Sequence, residues 1–345
     1  MYKRDSVRQV KVGELTIGGN KHVYIQSMTN TKTKDYLKTI EQILELEKAG
    51  CEIVRVAVLD MEDAKAIKRI KESIHIPLVA DIHFDYMLAI ESIKNGVDKI
   101  RLNPGNIKNR NHIEEVVSLC RKNKIPIRIG VNSGSLPNLE KPSVENMIRV
   151  CKMHVDILES LNFFDIIISL KVSDPKLMID TYLEAAKIFS YPLHLGVTEA
   201  GPLLIGTVKN SLGIGLLLNM GIGNTIRVSL TSDPVNEVLV AKEILKNLGL
   251  RNDLPNLISC PTCGRLEYNL IPIVERVEKY LRDIDKNISV AIMGCRVNGP
   301  GEASHADLGV AGGDGVGIIF KKGKIVKTVP EDTLYDCLVE EINKL

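Results

Sequence analysis

The chain has 345 residues, 44% of them hydrophobic, which is enough for a barrel-sized domain of about 250 residues and a smaller second one. Its 45 Lys and Arg nearly balance 43 Asp and Glu, and a formal charge of +2 gives no case for a nucleic-acid or membrane partner. The N-terminus lacks the apolar core of a signal peptide, and no run reaches the ~18 apolar residues of a membrane span. These features predict a cytoplasmic protein that binds neither nucleic acid nor membrane.

Eight short runs rich in Val and Ile alternate with helical patterns in the first two thirds of the chain. The runs cover residues 22–28, 52–58, 77–83, 98–104, 125–133, 165–173, 192–200 and 224–232. Continuous apolar runs are typical of strands buried on both faces. Eight strand–helix units predict an α/β fold with a TIM (β/α)8 barrel over residues 1–247. An open doubly wound sheet is the alternative, and it is weaker because no GxGxxG motif follows the first strand.

A polar stretch with Gly and Pro at residues 247–255 separates this region from a different one at 256–345. Here a short strand ends at Ser259, a helix covers 273–285, and a strand covers 287–294. A hairpin is predicted over 315–329 with its turn at Lys322 and Gly323, followed by a final helix over 331–345. The pattern predicts a small α+β domain.

The predicted strand ends are unusually polar, and in a TIM barrel these ends form the active site. An arginine between β-forming residues recurs in strands two, four, five and eight. A buried arginine is unfavourable unless it is paired, so any single one is open to explanation as a structural salt bridge. The polar residues at the strand ends are Gln26, Ser27, Thr29, Arg55, Asp81, His83, Arg101, Asn103, Arg128, Asn132, Ser133, Lys171, Ser173, His194, Thr198, Glu199, Arg227 and Ser229.

Together, the four arginines and Lys171 favour a bound anion. The convergent carboxylates are only Asp81 and Glu199, too few to neutralise five cations. The surplus charge predicts a phosphorylated ligand, with a diphosphate as the best match. Glu199 is the best candidate for a general acid or base, whereas His83 and His194 are equally open to a catalytic or a core role.

Three of the seven cysteines lie outside the apolar, periodic segments that hold the other four. Cys260 and Cys263 form a CxxC motif, Cys295 lies in a loop rich in Gly and Pro, and Glu302 follows seven positions later. A zinc ribbon with His305 as fourth ligand and a thioredoxin-type CxxC are alternatives. An iron–sulfur cluster fits better, with one iron either open or held by Glu302. We expect the other cysteines to be ordinary core or helix-face residues: Cys51, Cys120, Cys151 and Cys337.

The chain resembles the 4-hydroxy-3-methylbut-2-en-1-yl diphosphate synthase family in its bacterial two-domain form. The motifs that carry the resemblance span essentially the whole chain in one order. They are VYIQSMTNTKTKD, GCEIVRVAV, PLVADIHFDY, DKIRLNPGNI, PIRIGVNSGSL, HLGVTEAG, GIGNTIRVSLTSDP, ISCPTCGR and MGCRVNGPGE. The spacing from strand eight to CPTCGR leaves no room for the large inserted domain of plant-type members.

The resemblance implies specific roles for these residues. Cys260, Cys263, Cys295 and Glu302 would hold a [4Fe-4S] cluster in a nitrite/sulfite-reductase-like small domain. Glu199 would act as the acid or base, and Glu302 would give way to the substrate. The residues implied to bind a cyclic diphosphate are Arg55, Asp81, His83, Arg101, Asn103, Arg128, Asn132, Lys171, Thr198, Arg227 and Ser229.

The implied activity is reductive ring opening and dehydration of 2-C-methyl-D-erythritol 2,4-cyclodiphosphate in non-mevalonate isoprenoid biosynthesis. Two electrons would come from reduced flavodoxin or ferredoxin, and the site would be shared between the subunits of a homodimer. A redox-inactive barrel transferase, such as a pterin or phosphosugar enzyme with a zinc-stapled tail, is the second hypothesis. A non-catalytic, metal-dependent binding module is the third.

Overall fold

The computed structural model describes residues 3–83, 85–137, 140–284, 286–295, 301, 303–313 and 315–345. The chain divides into two compact units, Met1–Leu250 and Arg251–Leu345. Each unit buries its own hydrophobic core. Among the described residues, no helix combines the length and the hydropathy needed to cross a bilayer.

The first unit is the predicted eight-stranded parallel barrel, preceded by a hairpin of β1 (Val10–Val12) and β2 (Leu15–Ile17). The barrel strands are β3 (Tyr24–Met28), β4 (Ile53–Ala57), β5 (Leu78–Asp81), β6 (Lys99–Arg101), β7 (Ile127–Asn132), β8 (Ile166–Lys171), β9 (His194–Leu195) and β10 (Thr225–Ile226). They pair in the order β8-β7-β6-β5-β4-β3-β10-β9, and a bridge between Ile168 and Leu193 joins the two ends of that order. The predicted TIM barrel is therefore confirmed.

A helix or a longer connection follows each strand and covers the outside of the barrel. The helices are α1 (Tyr36–Ala49), α2 (Met61–Lys71), α3 (Tyr86–Lys94), α4 (Arg110–Asn123), α5 (Val144–Ser160), α6 (Pro175–Ile188), α7 (Leu203–Asn219) and α8 (Pro234–Asn247). Aspartates cap several N-termini; the Asp60 carboxylate, for example, accepts hydrogen bonds from the backbone N–H groups of Glu62 and Asp63. At the end of α1, Gly50 adopts a φ of 100°, which favours glycine.

The buried Tyr182 side chain reinforces the closure of the barrel, where the ladder between β8 and β9 is sparse. Its hydroxyl accepts a hydrogen bond from Leu170 N at 2.9 Å and donates one to His194 O. These bonds link the two strands through a side chain of α6.

Side chains that point into a TIM barrel form layers, each contributed by alternate strands. The hairpin β1–β2, which the sequence did not predict, packs Val10, Val12 and Ile17 against Ile53 and Ile167 and closes the N-terminal end with apolar side chains. The strand register places Ile53, Lys99, Ile167 and Thr225 in one layer of the barrel interior. The next layer, toward the C-terminal ends of the strands, consists of Gln26, Val79, Arg128 and His194. Above it lie Arg55, Arg101, Ser169 and Arg227, and then Met28, Asp81, Gly130 and Gly196.

In the part of the chain that the structure describes, the second unit contains a five-stranded mixed sheet and the two helices named next. Its elements are β11 (Asn256–Ser259), α9 (Leu270–Leu281), β12 (Ser289–Met293), β13 (Leu308–Gly313), β14 (Val316–Lys321), β15 (Lys324–Pro330) and α10 (Leu334–Asn343). The strands pair in the order β11 to β15; the first three are parallel and the last two antiparallel. The predicted hairpin turn is present, with Lys322 and Gly323 at φ values of 48° and 75°. Strand β13 was not predicted, because LGVAGG is rich in glycine.

Candidate functional site

Three guanidinium groups share one layer of the barrel, and two of them flank a buried carboxylate. Arg55 Nε lies 3.5 Å from one oxygen of Asp81, and Arg101 Nη1 lies 3.4 Å from the other. Burial alone would raise the pKa of Asp81, but the charges of Arg55 and Arg101 outweigh it and lower the pKa. Asp81 is therefore an ionised carboxylate that holds the two arginines in place.

The third arginine of the layer is held by a carboxylate that the sequence argument missed. Arg227 Nε and Nη2 lie 3.2 and 3.3 Å from the two oxygens of Glu237, which also accepts hydrogen bonds from Ser27 Oγ and Leu230 N. Glu237 lies in the first turn of α8 and is 5% exposed. The prediction that only Asp81 and Glu199 converge on the mouth was therefore wrong, because a helix, and not a strand end, supplies this group.

Two further cations are buried without a counter-charge in contact among the described residues. Arg128 is 1% exposed, and its Nε and Nη1 atoms have no hydrogen-bond partner in this part of the chain. Lys171 is buried and forms neither a hydrogen bond nor an ion pair with the residues that the structure describes. Burial first, and then the neighbouring arginines, lowers the pKa of both groups well below its ordinary range. Both charges are thus unfavourable until an anion approaches.

Glycine at position 130 makes room for the Arg101 side chain. A Cβ atom there would lie 2.8 Å from Arg101 Nε, and Arg101 Nη2 donates to Gly130 O at 2.9 Å. The Asn103 side-chain amide binds the N–H and the C=O of Gly130, both at 2.9 Å. Asn103 therefore fixes strand β7 where the arginine crosses it.

Glu199 stands in a left-handed backbone conformation, with φ at 53°. Such a conformation is unfavourable for a non-glycine residue and is found more often at functional sites. Its carboxylate Oε1 lies 3.9 Å from the place that a Cβ of Gly134 would occupy, which puts it over the loop that follows β7. The neighbouring Thr198 N donates to Val172 O at 3.1 Å and ties this loop to the end of β8. The exposed Glu199 carboxylate is thus available to a ligand at the mouth.

The two strand-end histidines occupy different environments. The His83 side chain is 52% exposed and lies 3.8 Å from Asp81 and within 3.3 Å of Arg101 Nη1. His194 is fully buried, with Nδ1 at 2.7 Å from Thr225 Oγ1. Only His83 is accessible from the mouth. Thr29, which follows β3, is buried. The other predicted residues, half-buried after β7, β8 and β10, are Asn132, Ser133, Ser173 and Ser229.

His154 is a positioning residue that no sequence signal identified, because it lies among apolar residues of α5. Its Nδ1 accepts a hydrogen bond from Gly105 N at 3.0 Å, and Gly105 follows Asn103 by two positions. Burial, with a smaller contribution from Arg101, lowers the pKa of His154 to about 4. The neutral ring therefore anchors the loop that carries Asn103.

In the second unit, the cysteine motifs leave the same edge of the sheet, because β11 and β12 are adjacent and parallel. Cys260 N donates to Ile292 O at 3.2 Å, and Gly294 N donates to Cys260 Sγ at 3.0 Å. Gly294 immediately precedes Cys295, and both Cys260 and Cys295 are partly buried, whereas Cys263 is exposed. Glu302 lies outside the described residues.

Within the described part of the chain, no group of three or more His, Cys, Asp and Glu side chains is close enough to hold a metal ion. The other four cysteines are also described. Cys51, Cys120 and Cys151 are buried, as predicted for core residues, and Cys337 is partly buried.

Two protein-family models match the chain. One, described as "GcpE TIM-barrel domain", matches residues 7–242, and the other, "GcpE protein C-terminal domain", matches residues 256–344. The chain is 55% identical to 4-hydroxy-3-methylbut-2-en-1-yl diphosphate synthase (flavodoxin) of Halalkalibacterium halodurans, over 99% of this chain and 95% of that one. The protein of the same name from Lysinibacillus sphaericus is 54% identical, over 99% and 94% of the two chains.

Solved structures with a similar barrel include dihydropteroate synthases. Those of Yersinia pestis and Stenotrophomonas maltophilia each give a TM-score of 0.54, at 11% and 12% identity. The matches cover 70% of this chain and 97% and 98% of the respective enzymes. At such identities the likeness shows the barrel fold alone.

We predict that Gly130→Ala weakens the binding of inorganic pyrophosphate about tenfold, because the new methyl group displaces the Arg101 guanidinium. Isothermal titration calorimetry measures this directly. Gly215→Ala is the matched control, since a Cβ there meets nothing within 4 Å. Unchanged affinity in Gly130→Ala would show that Arg101 does not bind the anion.

We predict a loss of stability as the pH falls from about 6.5, the ordinary histidine pKa, to about 4, the pKa of folded His154. The pKa of His154 is lower in the folded chain than in the unfolded chain. Its contribution to the free energy of unfolding is therefore fully present above the unfolded-state pKa and is lost as His154 is protonated at lower pH. Urea unfolding at several pH values tests this.

The variant His154→Asn keeps an acceptor for Gly105 N and should flatten this part of the pH profile. His305→Asn, at an exposed side chain of the second unit, is the matched control and should keep the slope of the natural chain. The same slope in His154→Asn and in the natural chain would contradict the assignment.

Proposed function

The chain belongs to the GcpE family, and on that premise we propose that it reduces 2-C-methyl-D-erythritol 2,4-cyclodiphosphate to 4-hydroxy-3-methylbut-2-en-1-yl diphosphate in isoprenoid biosynthesis. Its curated relatives carry the name of that synthase over 93–95% of their length. The reaction opens the cyclic diphosphate, consumes two electrons and two protons and releases one water.

The observation that carries this proposal is the unbalanced positive charge inside the barrel. Asp81 and Glu237 engage Arg55, Arg101 and Arg227, whereas no carboxylate of the described residues is in contact with Arg128 or Lys171. A diphosphate supplies the missing negative charge, and guanidinium groups bind its oxygens in pairs. The second hypothesis, a pterin-type transferase, is supported only by the barrel fold that the chain shares with dihydropteroate synthases.

The mouth residues would act on the substrate by charge and by proton transfer. Breaking the ring's C–O bond leaves negative charge on a phosphate oxygen, and preorganised arginines stabilise that charge as it develops. Glu199, accessible and held in a strained conformation, would transfer a proton to or from the carbon skeleton. The other proposed ligands of the substrate are Asp81, His83, Asn103, Asn132, Thr198 and Ser229.

The cysteine edge of the second unit fits an iron–sulfur cluster. Cysteine thiolates are the usual ligands of such clusters, and hydrogen bonds to sulfur tune their potentials. Gly294 N–H is directed at Cys260 Sγ, and the loops that carry Cys263 and Cys295 leave the same sheet edge. We propose that Cys260, Cys263, Cys295 and Glu302 hold a [4Fe-4S] cluster, which when bound supplies electrons one at a time and a Lewis-acidic iron.

The chain purified without oxygen should contain about four iron and four sulfide ions, and Cys295→Ser should lose most of both together with turnover. Cys337→Ser is the matched control, because this partly buried thiol of the same unit lies outside the proposed ligand set. Iron, sulfide and activity assays with reduced flavodoxin provide the measurements. Stoichiometric zinc without sulfide, or full activity in Cys295→Ser, would favour the transferase.

Flavodoxin is in the name of the relatives, and we propose it, or a ferredoxin, as the electron donor in the cytoplasm.

We further propose a homodimer in which the barrel of one subunit works with the cluster unit of the other. Mixing a Cys295→Ser chain with a Glu199→Ala chain should then restore part of the activity that each lacks alone. No recovery in mixed dimers verified by mass spectrometry would show that each chain works by itself.

A further inference from the structure

The barrel layer below the three mouth arginines is polar, whereas a TIM-barrel interior is normally filled by branched apolar side chains. Gln26 and Arg128 are each 1% exposed, and His194 and Lys99 are fully buried. The strand register places Gln26, Arg128 and His194 at one level with Val79, and Lys99 one level below. Four polar side chains thus occupy a space that is closed to solvent.

Four polar atoms of these side chains have no hydrogen-bond partner. Arg128 Nε and Nη1, Gln26 Nε2 and His194 Nε2 are all buried and lack a partner among the residues that the structure describes. Lys99 Nζ reaches Gln26 Oε1 at 3.4 Å, a long bond for a buried ammonium. His194 Nδ1 lies 2.7 Å from Thr225 Oγ1, and in the tautomer in which the threonine hydroxyl donates to Nδ1, His194 Nε2 carries the proton and is a donor as well.

The nearby carboxylates do not reach this layer, because each is engaged elsewhere. Asp81 lies between Arg55 and Arg101, Glu237 binds Arg227, and Asp98 pairs with Lys71 at the base of the barrel. Buried polar groups without partners are rare in proteins and point to an ordered water or ion. A water needs acceptors for its own protons, whereas several unpartnered donors in one layer with a buried arginine suit an anion.

We propose that the barrel interior holds a small inorganic anion of halide size, chloride in the cell, bound by Arg128, Gln26 and His194 above Lys99. Single donor atoms supplied by three different side chains suit a spherical ion. The site lies below the mouth but shares Arg128 with the proposed diphosphate site, so the test below includes pyrophosphate to tell the two anions apart. Its charge would balance Arg128 and Lys99 and thereby stabilise the arginine layer above.

Bromide is the probe, because its anomalous scattering distinguishes it from water. Crystals of the full-length chain grown in bromide should show an anomalous peak in contact with Arg128 Nε, Gln26 Nε2 and His194 Nε2. The peak should persist when inorganic pyrophosphate is added. A water or an empty space at that position overturns the proposal. A peak found only among Arg55, Arg101 and Arg227, and displaced by pyrophosphate, overturns it too.

A solution measurement tests the same site without crystals. Replacing gluconate by chloride at constant ionic strength should raise the Tm of the natural chain by about 2–4 °C, since an ion that binds only the folded state stabilises it. Equal Tm values in the two salts would contradict an interior halide.

Gln26→Glu is the decisive variant, because its carboxylate would supply the anion from within the chain. It should abolish both the bromide peak and the chloride dependence of Tm. Gln9→Glu adds the same charge at an exposed position and should keep both. A bromide peak or chloride dependence that survives in Gln26→Glu counts against the site. If Gln26→Glu does not fold, the bromide experiment on the natural chain still decides.

Discussion

The constraint on which this structure depends is the concentration of like charge in a closed barrel. Arg55, Arg101, Arg128, Lys171 and Lys99 are all buried, and an unpaired buried charge is among the least favourable features a fold can contain. The apolar core must offset it. The hairpin β1–β2 seals the lower end with Val and Ile, and eight helices bury the outward faces of the strands. The barrel is thus an apolar frame around an interior in which positive charge exceeds the negative charge of the described residues.

Space in this interior is controlled by the absence of side chains as much as by their presence. Two of the four positions directly above the arginine layer are Gly130 and Gly196. A Cβ at Gly130 would touch Arg101, and a Cβ at Gly196 would lie 2.7 Å from Arg227 O and 3.2 Å from Lys171 Nζ. Any larger residue would push the cations away from the axis. The glycines therefore allow several positive groups to approach one ligand.

The barrel could be predicted from the sequence, because buried parallel strands and amphipathic helices have different hydrophobic periodicities that are visible locally. The cations of the mouth could be predicted too, since an arginine inside an apolar run is conspicuous. It did not reveal Glu237 and His154, which lie on helices and reach the site only through tertiary packing. Lys99 was missed for a related reason: it resembles a strand-start residue, and only the register shows that it points inward. Strand β13 was hidden by its glycines.

The two proposed ligands, a diphosphate and a cluster, make different physical demands, and each demand matches the architecture of a different unit. Binding a diphosphate requires fixed positive charge in a low-dielectric cavity, which rigid strands provide well. Binding a cluster requires thiolates on loops that adapt to it, with backbone N–H groups near sulfur. Parallel strands β11 and β12 satisfy this second need because their C-terminal ends, thirty-odd residues apart in sequence, emerge side by side.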